Sequence, residues 1–335
     1  MHNLQELKEF LSTPRKIAIV SHRNPDGDAI GSTLGLFHYL SRKRHDATVA
    51  VPSDYPFILD FLPGADYILI HDRKGEETDK MIQEAEIIFC LDFNALHRID
   101  KMGETIAGTK VPKVLIDHHL FPEDFADYSL SDTSASSTCE LVFDFIEMLG
   151  DKSVIDEIIG ECLYAGILTD TGSFKYATSA KLFRIAAELH EVGVDDVKLQ
   201  NFLFNSHTIK QIRLLGYCLT RGMQLFPEFK TGFIVLSREQ YKRFNIKRGD
   251  TEGIVNYLLK MRSINFAVLI TERDQLVKLS FRSKGNFDVQ QIASSYFKGG
   301  GHKNASGGIS NRSLNETVDY LKSLLPAHKQ QLENA

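Results

Sequence analysis

Hydrophobic positions in this chain fall into two successive patterns. In the first half, short apolar runs alternate with stretches of helical spacing. The runs are Ile17–Val20, Thr48–Val51, Tyr67–Ile70, Glu86–Asp92 (EIIFCLD) and Val114–Ile116, and Ile30, Leu34, Phe37 and Leu40 mark the first helix. Continuous apolar strands separated by helices predict a parallel sheet with both faces covered. From Ser137 the spacing turns helical, over Ser137–Leu149, Val154–Leu168 and Ala180–Val192, then Val197–Phe204 and Thr208–Met223. Thr231–Leu236 reads as a strand that opens a second region. A helix over Thr251–Lys260 with Thr251 as N-cap follows, then a hairpin of Ile264–Ile270 and Leu276–Arg282 turning at residues 272–275. On the last of these strands Val277, Leu279 and Phe281 alternate with Lys278, Ser280 and Arg282, so one face is apolar and the other basic.

The fold class this implies is α/β. A parallel-sheet N-terminal domain with helices on both faces spans 1–192 and a smaller mixed α/β domain spans 227–335. Between them, 193–226 has no Pro/Gly-rich tether and reads as an ordered helical linker. The length of 335 residues suits two domains, and 43% apolar residues supply ordinary cores.

Charge and cysteines narrow the setting. A net charge of −5 gives no general polyanion-binding surface, so any nucleic-acid contact is local or the substrate is short. The four cysteines, Cys90, Cys139, Cys162 and Cys218, are scattered in apolar contexts without a CxxC, which points to buried thiols and a reducing compartment. The N-terminal stretch is polar and helical in pattern, unlike a signal peptide. No apolar run approaches the ~18 residues of a membrane span. A cytoplasmic, membrane-free protein is expected.

Candidate chemistry sits where strands end. Ile17–Val20 leads into His22, then a turn with Asn24-Pro25 and Asp26-Gly27, then Asp28 at the start of a helix. Asn-Pro-Asp-Gly is also ordinary turn chemistry, and Asp28 could simply be an N-cap. The same design recurs, however. Asp92 closes the fourth apolar run, Asp117-His118-His119 closes the fifth, and Asp170 lies in a turn where a later helix ends. Parallel strands present their carboxyl ends along one rim, so these groups can converge. Converging carboxylates repel unless a cation sits among them, and mixed carboxylate–imidazole sets suit hard or borderline divalent ions.

These residues resemble the motifs of the DHH phosphoesterase superfamily: HRNPDGDAIGS, the Asp of FCLDFN, DHH at 117–119 and the Asp of LTDTGSF. GGGHKNASGG at 299–308 resembles the signature of the DHH-associated C-terminal domain, with Ser306 where that signature usually carries alanine. Together they are similar to the two-domain NrnA-like subfamily of nanoRNases and 3′-phosphoadenosine 5′-phosphate phosphatases. The resemblance implies two cations ~3.5–4 Å apart, Mn²⁺ with Mg²⁺ as the alternative, acting on an in-line attack at phosphorus. It places His22, Asp26 and Asp92 on one ion. Asp28, Asp92, His118 and Asp170 go on the other, with Asp92 bridging. His119 and Asp117 become the catalytic pair, His119 touching the substrate phosphate and Asp117 standing behind it. Arg282, Gly300, Gly301 and His302 become substrate contacts, and residues after the glycine run could open a helix whose amides face an anion. The site is expected in the cleft between the two domains. The partners implied are short RNA or DNA oligonucleotides or small phosphorylated nucleotides, with a homodimer as the assembly to test.

Other classes were weighed on the same residues. A pyrophosphatase, a polyphosphatase or a cyclic-dinucleotide phosphodiesterase shares the first set of motifs, but the glycine–histidine segment argues against the pyrophosphatase. Intact candidate ligands at every motif argue against a non-catalytic nucleotide-binding module.

Overall fold

The structure is a computed structural model that describes residues 3–247 and 249–335. The first two residues of the polar N-terminal stretch therefore lie outside it. The chain divides into two compact units, one ending at Ser206 and one running from His207 to Ala335.

The first unit is built on six parallel strands: β1 (Lys16–Ser21), β2 (Asp46–Val51), β3 (Leu69–Ile70), β4 (Ile87–Leu91), β5 (Lys113–Asp117) and β6 (Tyr128–Ser131). Their order across the sheet is β3-β2-β1-β4-β5-β6. The chain thus winds outward from β1 to β3 and returns on the other side of β1 with β4. In such sheets the crevice at the carboxyl ends of the two strands flanking the reversal is the ligand position. Ile17 and Ile19 face one way and Ala18 and Val20 the other. The first pair packs under helices Gly27–Arg42, Thr138–Met148 and Glu157–Thr171, the second with Ile82, Met102 and Ile106 of the opposite helices. Both faces are covered, as the continuous apolar runs predict.

Helices Gly27–Arg42 and Glu157–Thr171 cross with almost no side chain between them. A Cβ on Gly31 would lie 2.5 Å from the Cys162 carbonyl oxygen, and one on Gly166 would run into Cys139 Sγ. That close approach is what glycine is needed for here. It brings the start of the first helix beside the end of the second.

Two strands depart from the sequence pattern. β3 is only two residues long, because the 3-10 turn over Ala65–Tyr67, with Ile68 as its C-cap, takes the first half of the apolar run. β6 was not foreseen: Tyr-Ser-Leu-Ser alternates too briefly to stand out, and it adds to the sheet by pairing with β5.

The second unit holds β7 (Met223–Phe226), β8 (Thr231–Leu236), β9 (Phe266–Glu272), β10 (Val277–Ser283), β11 (Gly300–His302) and β12 (Ala305–Ser310), in the order β11-β12-β10-β9-β8-β7. Only β8 and β9 pair in parallel. Val277, Leu279 and Phe281 are buried under helices Val289–Tyr296 and Leu314–Leu324, while Lys278 is exposed and Arg282 half-buried.

The stretch 193–226, expected as one helical linker, is shared out. Helix Asp196–Phe204 buries Leu199 and Leu203 in the first unit's core, and helix Ile209–Thr220 buries Leu214 and Cys218 in the second's. Its last residues are strand β7 rather than helix, held by antiparallel pairing with β8. The helix expected over Thr251–Lys260 shrinks to Asn256–Leu259, since Gly249 (φ 87°) and Gly253 (φ 71°) take left-handed conformations that break it. Nor does a helix follow the glycine run, which instead forms the β11–β12 hairpin.

Candidate metal centre

Four chain segments deliver acids and imidazoles to the carboxyl rim of the first sheet. His22 follows β1 directly and is buried. Its Nδ1 lies 2.9 Å from the Arg23 carbonyl oxygen and donates to it, which turns Nε2 toward Asp92 Oδ2 at 3.3 Å and Asp26 Oδ1 at 4.0 Å. Asp26, not Asp28, is the N-cap of the next helix: its Oδ1 accepts from the amides of Asp28 (3.1 Å) and Ala29 (3.2 Å). Asp28 sits in the first turn, fully buried.

Asp92 ends β4 with φ 63°, a left-handed conformation that carries strain in a non-glycine residue. It is 2% exposed and its amide donates to the Ile116 carbonyl of β5. His118, just past β5, points Nε2 at three carboxylates: Asp170 Oδ2 at 3.3 Å, Asp92 Oδ1 at 3.6 Å and Asp28 Oδ2 at 3.8 Å. Its ring also hydrogen-bonds the Ala135 backbone. Asp170 lies inside the last turn of helix Glu157–Thr171, one residue before its end, rather than in a separate turn. His119 Nδ1 donates to Asp117 Oδ1 at 2.7 Å and stands 3.7 Å from Asp92 Oδ1.

Within the first unit, three groups of ligand atoms, each within 4.8 Å, result: His22 with Asp26 and Asp92, Asp28 with Asp92 and His118, and Asp92 with Asp117 and His119. Asp92 belongs to all three. The structure thus brings together His22, Asp26, Asp28, Asp92, Asp117, His118, His119 and Asp170.

One supporting element was not singled out from sequence. The N-terminus of helix Thr138–Met148 is aimed at the rim: the Thr138 amide donates to Asp28 Oδ2 (2.6 Å) and the Cys139 amide to Asp28 Oδ1 (2.9 Å). The Thr138 hydroxyl donates to Asp92 Oδ1 at 3.0 Å, so one residue ties two carboxylates from distant strands. Ser137 Oγ accepts from the Glu140 amide, and Glu140 Oε2 accepts from the Ser136 amide. Ser-Ser-Thr-x-Glu ahead of an apolar run is a capping signature, and it was the available signal.

Burial and mutual repulsion shift the acids of the centre. Burial, and then the Asp92 charge, pushes the Asp28 carboxyl up to about 7. Burial and the neighbouring Asp28 push Asp170 well above the usual range. Burial works against ionisation of Asp92 too, yet the hydrogen bond from His22 and the nearby imidazoles hold it well below that range. Burial likewise opposes the charge on His22, but Asp92 and Asp26 win and raise it to about 9. These buried acids repel one another, so the site favours positive charge among them, whether protons or divalent cations. Asp117 Oδ2, buried without a hydrogen-bond partner, adds to that excess of acceptors. The donor set, carboxylate and imidazole with an orphaned buried oxygen, fits divalent cations.

In the second unit, the registers decide which expected contacts share a face. Arg282 pairs with Ala305, and Ala305 pairs with His302. Directly opposed residues point the same way, so Arg282 and His302 flank the small Ala305 across three strands. Ser280, Gly307 and Gly300 form the next row. A Cβ on Gly300 would meet nothing within 4 Å. Gly301 pairs with Ser306, opposite buried Phe281, and so belongs to the other face; its φ of 140° and close approach to the Ala305 carbonyl explain the glycine. The expected anion site at a helix N-terminus is replaced by a hairpin edge.

Fold and centre together fit one class: phosphoesterases whose carboxylate–imidazole cluster can hold divalent cations. The chain belongs to the DHH family, matching the DHH family N-terminal domain over residues 16–167 and the DHHA1 domain over 231–327. A probable bifunctional oligoribonuclease and PAP phosphatase NrnA of Streptococcus mutans is 30% identical over 310 residues, 92% of this chain and 93% of that protein. A bifunctional oligoribonuclease and PAP phosphatase NrnA of Thermus thermophilus is 30% identical over 292 residues, 87% and 83% of the two chains. The crystal structure of an exopolyphosphatase-related protein from Bacteroides fragilis is 39% identical, with a TM-score of 0.95 over 98% of this chain and 97% of that one. Among the described residues no helix is long and apolar enough to cross a membrane.

Proposed function

We propose that this chain hydrolyses short oligonucleotides to mononucleotides, and 3′-phosphoadenosine 5′-phosphate as a second substrate, with two divalent cations. Mn²⁺ suits the mixed oxygen and nitrogen donors, with Mg²⁺ as the alternative. The observation that carries the reading is Asp92, a buried, strained carboxylate shared by three ligand groups. His22, Asp26 and Asp92 would hold one ion, and Asp28, Asp92, His118 and Asp170 the other. When bound, such a pair supplies an activated water and a clamp on the attacking and leaving oxygens.

The protein's own groups do the rest. Asp117 Oδ1 accepts a hydrogen bond from His119 Nδ1–H and so fixes the ring; with Nε2 protonated as well, His119 can donate to a phosphate oxygen. Thr138 and Cys139 hold Asp28 in place. In the second unit Arg282 supplies a planar fork for a phosphate, His302 a further donor, and the Gly300 row space for close backbone approach. A net charge of −5 with a local basic strand suits substrates of a few nucleotides better than a polymer.

The test is Mn²⁺-dependent turnover of 5′-labelled di- to pentanucleotides and a long RNA, beside 3′-phosphoadenosine 5′-phosphate, pyrophosphate, polyphosphate and cyclic di-AMP. Preferential loss of the shortest RNAs is expected. Turnover of pyrophosphate, polyphosphate or cyclic di-AMP alone would overturn the reading.

A further inference from the structure

Phe121 is 80% exposed, more than any other large apolar side chain among the described residues, and its backbone is left-handed with φ 60°. Neither property is favourable for phenylalanine: the ring sits in water and the Cβ crowds its own carbonyl. Yet the loop is not loose. Asn94 Nδ2 donates to the carbonyls of Leu120 (2.7 Å) and Phe121 (3.3 Å), and the Glu123 amide donates back to the Asn94 carbonyl at 2.7 Å. Glu123 Oε2 accepts from the Leu96 amide, and the Phe125 ring lies parallel to buried Phe93. The loop is clamped to the segment that carries Asp92, and Phe121 follows His119 by two residues, at most ~7.6 Å between their Cα atoms.

We propose that the Phe121 ring is a stacking platform for the nucleobase next to the scissile phosphate, an inference that rests on the oligonucleotide reading above. A phosphodiester held at Asp92 and His119 would have its sugar and base within reach of this loop. The exposed apolar surface there is the Phe121 ring with Leu120 and Pro122 on either side, followed by exposed Glu123 and Asp124. The ring itself matches one base in size. Phenylalanine has no polar atom, so stacking here grips purines and pyrimidines alike and suits mixed-sequence substrates.

The chain contains no tryptophan, so Phe121→Trp places a single fluorophore at the site. The Mn²⁺-loaded variant is titrated with a phosphorothioate dinucleotide and with the same compound made abasic at each position in turn. Saturable quenching by the intact dinucleotide, lost when one particular base is removed, is expected. In parallel, the wild type should prefer the intact over that abasic dinucleotide by about tenfold in kcat/KM, and Phe121→Ala should shrink the preference to within about twofold. A preference that survives Phe121→Ala, or quenching indifferent to the base, overturns the proposal while leaving oligonucleotide hydrolysis intact. If the wild type cleaves no dinucleotide, the functional reading fails and the titration alone decides the ring contact. A change in oligomeric state of Phe121→Ala on sizing, with no quenching of the tryptophan variant by the dinucleotide, assigns the ring to a protein contact and also overturns the proposal.

Discussion

The candidate metal centre of the first unit and the hairpin face of the second are built from opposite materials. The centre gathers buried, mutually repelling acids from positions 26, 28, 92, 117 and 170, and holds them with the amides of Thr138 and Cys139 and a left-handed backbone at Asp92. The hairpin face is mostly backbone: glycines, one small alanine, and two half-buried side chains, Arg282 and His302, set on it by strand register. Buried charge without water has few stable arrangements, so the centre should fail abruptly when altered. A partly solvated grip should weaken by degrees.

The sharpest way to break the contrast is at Asp92. Asp92→Ala should cost roughly three orders of magnitude or more in turnover, about 4 kcal/mol of transition-state stabilisation, and should empty both ion positions. Anomalous scattering that shows two fully occupied Mn²⁺ sites in this variant would end the bridging role.

Arg282 tests the graded side. Arg282→Ala should weaken nucleotide binding by about 1.5–3 kcal/mol, the scale of a hydrogen bond to a charged group, and cost more than Arg282→Lys if a planar fork matters. Calorimetric titration should still find two Mn²⁺ per chain. Loss of Mn²⁺ from Arg282→Ala would show that the two regions do not divide the work this way.

A smaller effect comes from pH. Asp28, raised to about 7, makes the metal-free fold bind an extra proton between the ordinary carboxylate value and 7, so metal-free stability falls as pH rises through that window. His22, raised to about 9, contributes stability that is full below its ordinary value and is lost as pH rises through 9. Divalent ions need both groups deprotonated. Mn²⁺ affinity should therefore rise from pH 6 to 8, by up to roughly 100-fold per unit while both protons are displaced and roughly tenfold per unit once Asp28 is ionised. Thermal shifts with and without Mn²⁺ at pH 6, 7 and 8 read this directly, and a shift independent of pH would mean the acids carry no proton to displace.

Much of this was legible along the chain. Five strand runs stood out, and so did the ligand groups that end three of them, at His22, Asp92 and Asp117–His119, because a buried parallel strand must be apolar throughout and a polar group at its end is conspicuous. The β10 alternation was equally plain, since a half-buried strand has period two. The harder parts were those where local preference was silent or misleading. β7 is a strand because β8 offers it hydrogen bonds, and the glycine run is a hairpin because Ala305–Ser310 folds back on it. Asp26 rather than Asp28 caps the helix because Asp28 has better partners a hundred residues away, at Thr138 and Cys139. The sequence by itself determined which chemical groups stand at the strand ends and that the fold must be a covered parallel sheet, because both follow from periodicity and residue type. Only the tertiary structure decided that Asp92 lies among all three ligand groups, that Arg282 and His302 share a face without Gly301, and that Phe121 stays in water beside the centre. Those facts depend on register, helix crossing and long-range hydrogen bonds, which no local window contains.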